Sequence, residues 1–132
     1  MSVDATRQVY GWLASSSAIT TLIPKSDIHI SYPKLEDNFP CISITQAAGT
    51  DYGYLGYGTA SAGSKLRREE PTIQIDIWSK TGFYQTDQAA DEVTKVMISG
   101  TCRKQSDNND YNDDIGLYRK IMSFTYVHYH ED

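Results

Sequence analysis

Between Pro71 and Lys80 the chain reads PTIQIDIWSK, and no other stretch limits the fold so tightly. Successive side chains of a strand point to opposite faces. Ile73, Ile75 and Ile77 therefore share one face, and Thr72, Gln74, Asp76 and Trp78 the other. Three isoleucines in a row on one side belong in a core, so the segment predicts a central strand with cover on that side.

The flanking segments supply the cover and the neighbouring strands. Val3, Thr6, Tyr10 and Leu13 recur at helical spacing with Val9 and Trp12 beside them, which predicts a helix over residues 3 to 14 with Ser2 or Asp4 as its cap. A short apolar piece, Ala18 to Ile23, ends at Pro24 and is expected to fold back over the core as about one helical turn. Ile28 to Tyr32 and Cys41 to Ala47 alternate like strands and are expected to form a hairpin-like pair. Ala89, Ala90, Val93, Val96 and Met97 mark a second helix over Gln85 to Ser99, closed by Gly100, with Asp87, Asp91 and Glu92 favouring its N-terminal end. Gly116 to His130 then reads as a long final strand.

Two segments lack any periodicity. Residues 49 to 68, GTDYGYLGYGTASAGSKLRR, are dominated by Gly, Tyr, Ser and Ala and read as a long loop between the second and third strands. Loops of that length inside a compact domain are functional or disordered. Residues 103 to 114, RKQSDNNDYNDD, are so polar that they read as another loop. The resulting class is α+β, a sheet of about four strands with two helices on one face. With 132 residues and no repeat or linker, one domain spanning 1 to 132 is expected.

The chemistry a chain like this can perform is narrowed by what it lacks. A net charge of −5 argues against tight non-specific nucleic-acid binding, which depends on Lys and Arg displacing counterions. No apolar run is long enough for a membrane span, and the opening MSVDATRQVYGW lacks a signal-peptide pattern, so synthesis and retention in a cytoplasm are expected. The two cysteines, Cys41 in an apolar strand and Cys102 in the polar loop, allow no disulfide framework or paired zinc motif. Asp110, Asn112 and Asp114 have the spacing of a calcium loop, but Ile115 stands where the glycine is needed and Ile121 where the bidentate glutamate is needed. His128 and His130 share a strand face and offer metal ligands in principle; a frayed, exposed terminus is the plainer reading. The glycines of DYGYLGYG lack the lysine and the flanking strand and helix of a phosphate loop, and no serine sits in a nucleophile elbow. No catalytic residue, metal ligand or cofactor is assigned, and the chain is not expected to be an enzyme. A small metal-binding hydrolase is the weakest of the alternatives.

What remains is contact. Ten tyrosines are hard to place in one small core, and tyrosine suits surfaces that are apolar and wet at once. Tyr52, Tyr54 and Tyr57 read as anchors that order against a neighbour, and Lys65, Arg67 and Arg68 as a basic cluster for salt-bridging to a partner, although Glu69 and Glu70 partly cancel it. The 49 to 68 segment is accordingly expected to be mobile in a free subunit. With no continuous apolar seam, the isolated protein is expected to be monomeric or weakly associated at micromolar concentration.

The second half carries a resemblance. PTIQIDIWSKTGFYQTDQAADEVTKVM, a strand ending in tryptophan and a polar turn into an alanine-containing helix, is followed by a variable loop and YRKIMSFTYVHY. With the N-terminal helix Val3 to Leu13, the Leu22-Ile23-Pro24 element and Tyr118-Arg119, this resembles the tail-completion, or tail-to-head joining, proteins of long-tailed phages and prophages. The resemblance implies a fold similar to tail terminators, which sit as hexameric rings on the last ring of a tail tube. It further implies as partners other copies of the chain, the tail tube protein and a head-completion or connector protein, with DNA passing through the ring without sequence-specific binding. The implied place is the virion, after synthesis in the bacterial cytoplasm. A neck or head-completion protein at the same joint is the alternative, and the family offers no catalytic residues.

If the strand faces are assigned correctly, Ile75→Asp puts a charge in the middle of the core and costs several kcal/mol against a total stability of roughly 5–15. The variant should show no cooperative thermal transition by circular dichroism; a soluble, cooperatively melting protein would mean the faces are reversed.

Overall fold

In the computed structural model residues 5–31, 38–54, 66–100, 102–126 and 128–131 are described, with side chains assigned outside 47–54, 66–71, 126 and 128–131. The elements run α1 (Ala5–Ala14), α2 (Ser17–Leu22), a 3-10 turn (Lys25–Asp27), β1 (Ile28–Ile30), β2 (Cys41–Tyr54), β3 (Leu66–Ser79), α3 (Phe83–Ser99), β4 (Cys102–Asn112), β5 (Leu117–Tyr126) and β6 (His128–Glu131). The fold is α+β. The strands form one sheet in the order β1-β2-β3-β5-β4, with β6 added beside β3.

β3 lies in the middle as its alternation predicts. Ile73, Ile75 and Ile77 are fully buried; they pair with Ile44 and Ile42 across β2 and with Phe124 and Met122 across β5. Against this apolar face pack Val9 and Leu13 of α1, Ile19 of α2, and Ala89, Ala90, Val93 and Met97 of α3, all in one cluster. Isoleucine and valine suit the pleated side of such a layer because their branched Cβ atoms fill it with little loss of rotamer freedom. Each fully buried side chain of this size contributes roughly 1.5–3 kcal/mol of apolar transfer, so the cluster is the main source of stability.

Local signals fix the ends of the helices. Ser16 caps α2, its Oγ accepting from the Ile19 amide at 3.3 Å. Gly82 precedes α3 with φ of 134°, a conformation that a residue with Cβ adopts only under strain. Glycine has no side chain to cap a helix, and Ser79, Thr81 and Gln85 close the turn instead. The Ser79 and Thr81 hydroxyls both donate to Gln85 Oε1, at 2.7 and 3.0 Å. α3 starts at Phe83, two residues before the expected Gln85, so Asp87 lies beyond its first turn.

Several sequence expectations are corrected. β1 and β2 pair in parallel rather than as a hairpin, with Ile28 beside Ile42 and Ile30 beside Ile44. The chain leaves β1 through Ser31, whose φ is 118° and whose amide donates to the Ile44 carbonyl at 3.1 Å, and returns to start β2 at Cys41. The polar stretch 103–114 is not a loop. Residues up to Asn112 belong to β4, and Asn112 and Gly116 close a tight turn into β5. β4 is the edge strand and nearly all of it is exposed, so neither face calls for apolar residues and the period of two disappears. Cys102, expected in that loop, is buried at the head of β4. His128 to Glu131 do not fray, because they form β6 and pair with residues 66–69 of β3. Most of the described part of the expected loop 49–68 is strand too, since β2 and β3 remain paired out to Tyr54 and Arg67. The proposed caps Ser2 and Asp4, and loop residues 55–65, lie outside the described residues.

α3 is pinned to α1 at a close approach. A Cβ added at Gly100 would stand 2.6 Å from Cζ3 and 2.8 Å from Cη2 of Trp12, so the indole lies directly on the glycine. Gly100→Ala should therefore force the ring away and lower stability by about 1–3 kcal/mol, the usual cost of overpacking. An unchanged urea midpoint would show that the ring moves at no cost.

Candidate interaction surfaces

The sheet face turned away from the helices carries a polar network. Asp76 is 1% exposed at the centre of β3. Arg119 of β5 donates to its Oδ2 through Nη2 at 2.6 Å and Nε at 3.1 Å, and Gln74 Nε2 donates to both carboxylate oxygens at 3.1 Å. The same guanidinium lies 4.7 Å from the centre of the Trp78 ring, whose Nε1 donates to the buried Ser43 on β2 at 3.1 Å. Strand register explains the set. Trp78 pairs directly with Arg119, which then reaches Asp76 on the diagonal, the range long side chains span across a sheet. The arrangement is fully hydrogen-bonded and holds no nucleophile paired with a base, so its chemistry is that of a rigid, charge-compensated surface.

On the helix side, Lys120 ties three elements together. Its Nζ lies 2.9 Å from Asp87 of α3 and 3.1 Å from Asp107 of β4. Burial by itself would lower the Lys120 pKa, but the hydrogen bonds to Asp87 and Asp107 outweigh it and the net shift is upward. For Asp107 burial acts upward and is outweighed by Lys104 and Lys120, so its carboxyl sits below the usual value. Burial pushes the Cys102 thiol up to about 11, which leaves it protonated and unreactive at neutral pH.

The two ends of α3 differ in character. At its start, Phe83 meets Tyr118 edge-on with ring centres 5.0 Å apart, and Tyr118 meets Tyr111 at 4.5 Å. Around this stack Tyr84, Tyr111 and Ile115 are exposed, Tyr84 by 78%. At the other end an open groove of about 420 Å³ runs between Trp12, Ser15 and Ser16 and the α3 residues Lys95, Val96 and Ser99. Ile98, 59% exposed, lies on the same last turns of α3.

The residues singled out from the sequence fall on the extended part of the β2–β3 pair. Tyr54 pairs with Arg67, and Arg67 in turn with His130 of β6. Arg68 pairs with Gly53 and Tyr129, and Tyr52 sits at the register shift between Asp51 and Gly53. Tyr57 and Lys65 lie outside the described residues. The calcium-like spacing dissolves, because Asp110 pairs with Arg119 in the ladder and Asn112 Oδ1 accepts the Asp114 amide within the turn. Sequence reasoning missed the aromatic stack: Tyr111 stood in a supposed loop and Phe83 and Tyr84 before the expected helix start. Only the phrase Tyr118-Arg119, noted for its resemblance, pointed to this part of the molecule.

Comparison with known proteins gives the same direction. The family model described as tail completion protein gp17 matches residues 7–128. Among solved structures the chain is similar to one described as the virion of a native gene transfer agent particle, with a TM-score of 0.70, 12% identity and 90% of each chain covered. At that identity the likeness speaks to the fold. No curated protein sequence matches.

The Asp76–Arg119 pair yields a direct test. Removing one partner of a buried ion pair strands the other charge and costs about 3–5 kcal/mol, somewhat less where one member reaches solvent. Arg119, with 23% of its side chain exposed, is such a member. Arg119→Met should therefore lower unfolding free energy by about 3 kcal/mol, and the double variant with Asp76→Leu should recover part of the loss. Equal stability of Arg119→Met and the parent in urea would show that the pair is not what holds this face.

Proposed function

The chain belongs to the tail completion protein gp17 family and is a structural protein of a phage-type tail; from that premise we propose that it closes the end of the tail tube as a ring, a hexamer in our reading, and joins the tube to the head connector. The family match over residues 7–128 carries this reading. Its partners are further copies of itself, the tail tube protein on one side and a head-completion or connector protein on the other. The place of action is the virion, reached after synthesis in the host cytoplasm.

The physical character of the surface supports such a role. A net charge of −5 repels a duplex, which suits a ring that DNA must pass through without being held. A sheet whose outer face is locked by Asp76, Arg119, Gln74 and Trp78 presents a fixed shape, and fixed shape limits the ordering cost of docking. In this proposal the extended β2–β3 pair, with Tyr52, Tyr54, Arg67 and Arg68 on it and Tyr57 and Lys65 in the connection, provides the contact to a neighbouring subunit or tube ring.

Purified protein mixed with polymerised tail tube protein should appear in negative stain as rings on one end of each tube, and tube lengthening should stop. Binding to the head connector with bare tube ends would replace this reading with that of a head-side completion protein.

A further inference from the structure

The core face of the sheet ends in charge and imidazole where β6 joins β3. β5 and β6 keep one register along β3: Thr72 lies beside Thr125, and Glu69 beside His128, three residues on from each. Counting by twos, the buried row Ile73, Ile75 and Ile77 of β3 continues into Glu69 and Arg67, and the Met122 and Phe124 row of β5 into His128 and His130. β2 adds Asp51 beside Glu69 and Tyr54 beside Arg67. A face that is apolar in the core thus becomes one of two imidazoles, two carboxylates and a guanidinium, and charged groups on a sheet face need an answering partner. A frayed terminus would leave the histidines idle, but every residue of β6 is paired with β3.

We propose that His128, His130 and Glu69 form a binding site for a divalent transition-metal ion of the zinc class. The two histidines stand on one strand with a single residue between them, and Glu69 stands directly across the ladder from His128. Directly opposed residues have Cβ atoms about 4.5–5.5 Å apart and diagonal ones about 7–8 Å, so the three positions lie within reach of one ion. Two imidazoles and a carboxylate suit zinc and its neighbours, whereas calcium and magnesium take oxygen ligands throughout. Asp51 stands one strand further off, about 10 Å from His128 at two strand spacings, and contributes charge rather than a ligand. Arg67, opposite His130, repels a cation, but Asp51 and Glu69 together outweigh it and leave the face net negative when the imidazoles are neutral. Elsewhere, among the described residues, no three His, Cys, Asp or Glu side chains gather as a metal site. Three ligands leave a position open to water, and the ion clips the last strand onto β3 whether or not the chain caps a tube.

The test is calorimetric titration of zinc chloride into the untagged full chain after dialysis against a chelator, with histidine-selective NMR spectra recorded in parallel. One ion should bind per chain, and of the three histidines His128 and His130 should shift while His29 of β1 stays in place. Glu69→Gln, which removes one ligand, should weaken binding about tenfold or more. Arg67→Gln, which removes the repelling charge and no ligand, should tighten it; a merely structural role for this face predicts no such gain. Circular dichroism checks the folding of each variant, and if Glu69→Gln does not fold, Arg67→Gln decides by itself. Absence of saturable binding, shifts spread over all three imidazoles, equal affinity of Glu69→Gln and the parent, or unchanged or weaker binding by Arg67→Gln would each overturn the site.

Discussion

A carboxylate at 1% exposure is stable only if its charge is answered, and in this molecule Asp76 is answered by Arg119 from the next strand. That single requirement fixes a good deal. Arg119 must lie on the diagonal from Asp76 and over Trp78, so β5 can pair with β3 in only one register. A slip of one residue would turn Arg119 toward the helices and Met122 and Phe124 away from them. The ion pair and the isoleucine layer thus specify the same alignment from opposite sides of the sheet, and agreement of that kind is what separates one packed state from its competitors.

Alternation made the centre of the fold readable and left its margins dark. Ile73, Ile75 and Ile77 declared the buried face because a strand covered on one side must alternate, and the helical recurrence from Ala89 to Met97 declared α3 for the equivalent reason. β4 has solvent on nearly all of its length and so carries no such code; its Asp, Asn, Lys and Arg residues read as a loop while forming an edge strand blunted against stray pairing. Strand direction is similarly silent. The parallel pairing of β1 with β2 depends on how residues 31–40 travel, and the alternation of IHI would look the same either way.

The surfaces follow the same division. Gln74, Asp76 and Trp78 were visible as outward residues of β3, but the partners Arg119 and Ser43 reach them only through cross-strand register. The stack of Phe83, Tyr118 and Tyr111 joins a helix start to the ends of two strands and has no sequence period at all. Tyr52, Tyr54, Arg67 and Arg68 were recognised by composition, which identifies a contact-forming segment without giving its shape; backbone pairing adds that Tyr54 faces Arg67 across a ladder.

The chain has two tryptophans, and the fold sets them on opposite sides of the sheet. Trp12 lies among the helices on Gly100, whereas Trp78 lies on the outer face under the Arg119 guanidinium with its Nε1 bonded to Ser43. An indole beside a cation and an indole against a glycine backbone sit in different fields, so their emission differs in wavelength and in accessibility to a quencher. Replacing one at a time with phenylalanine leaves a fluorophore native to each layer, and the protein then reports optically which of its two sides is being covered, with no label attached.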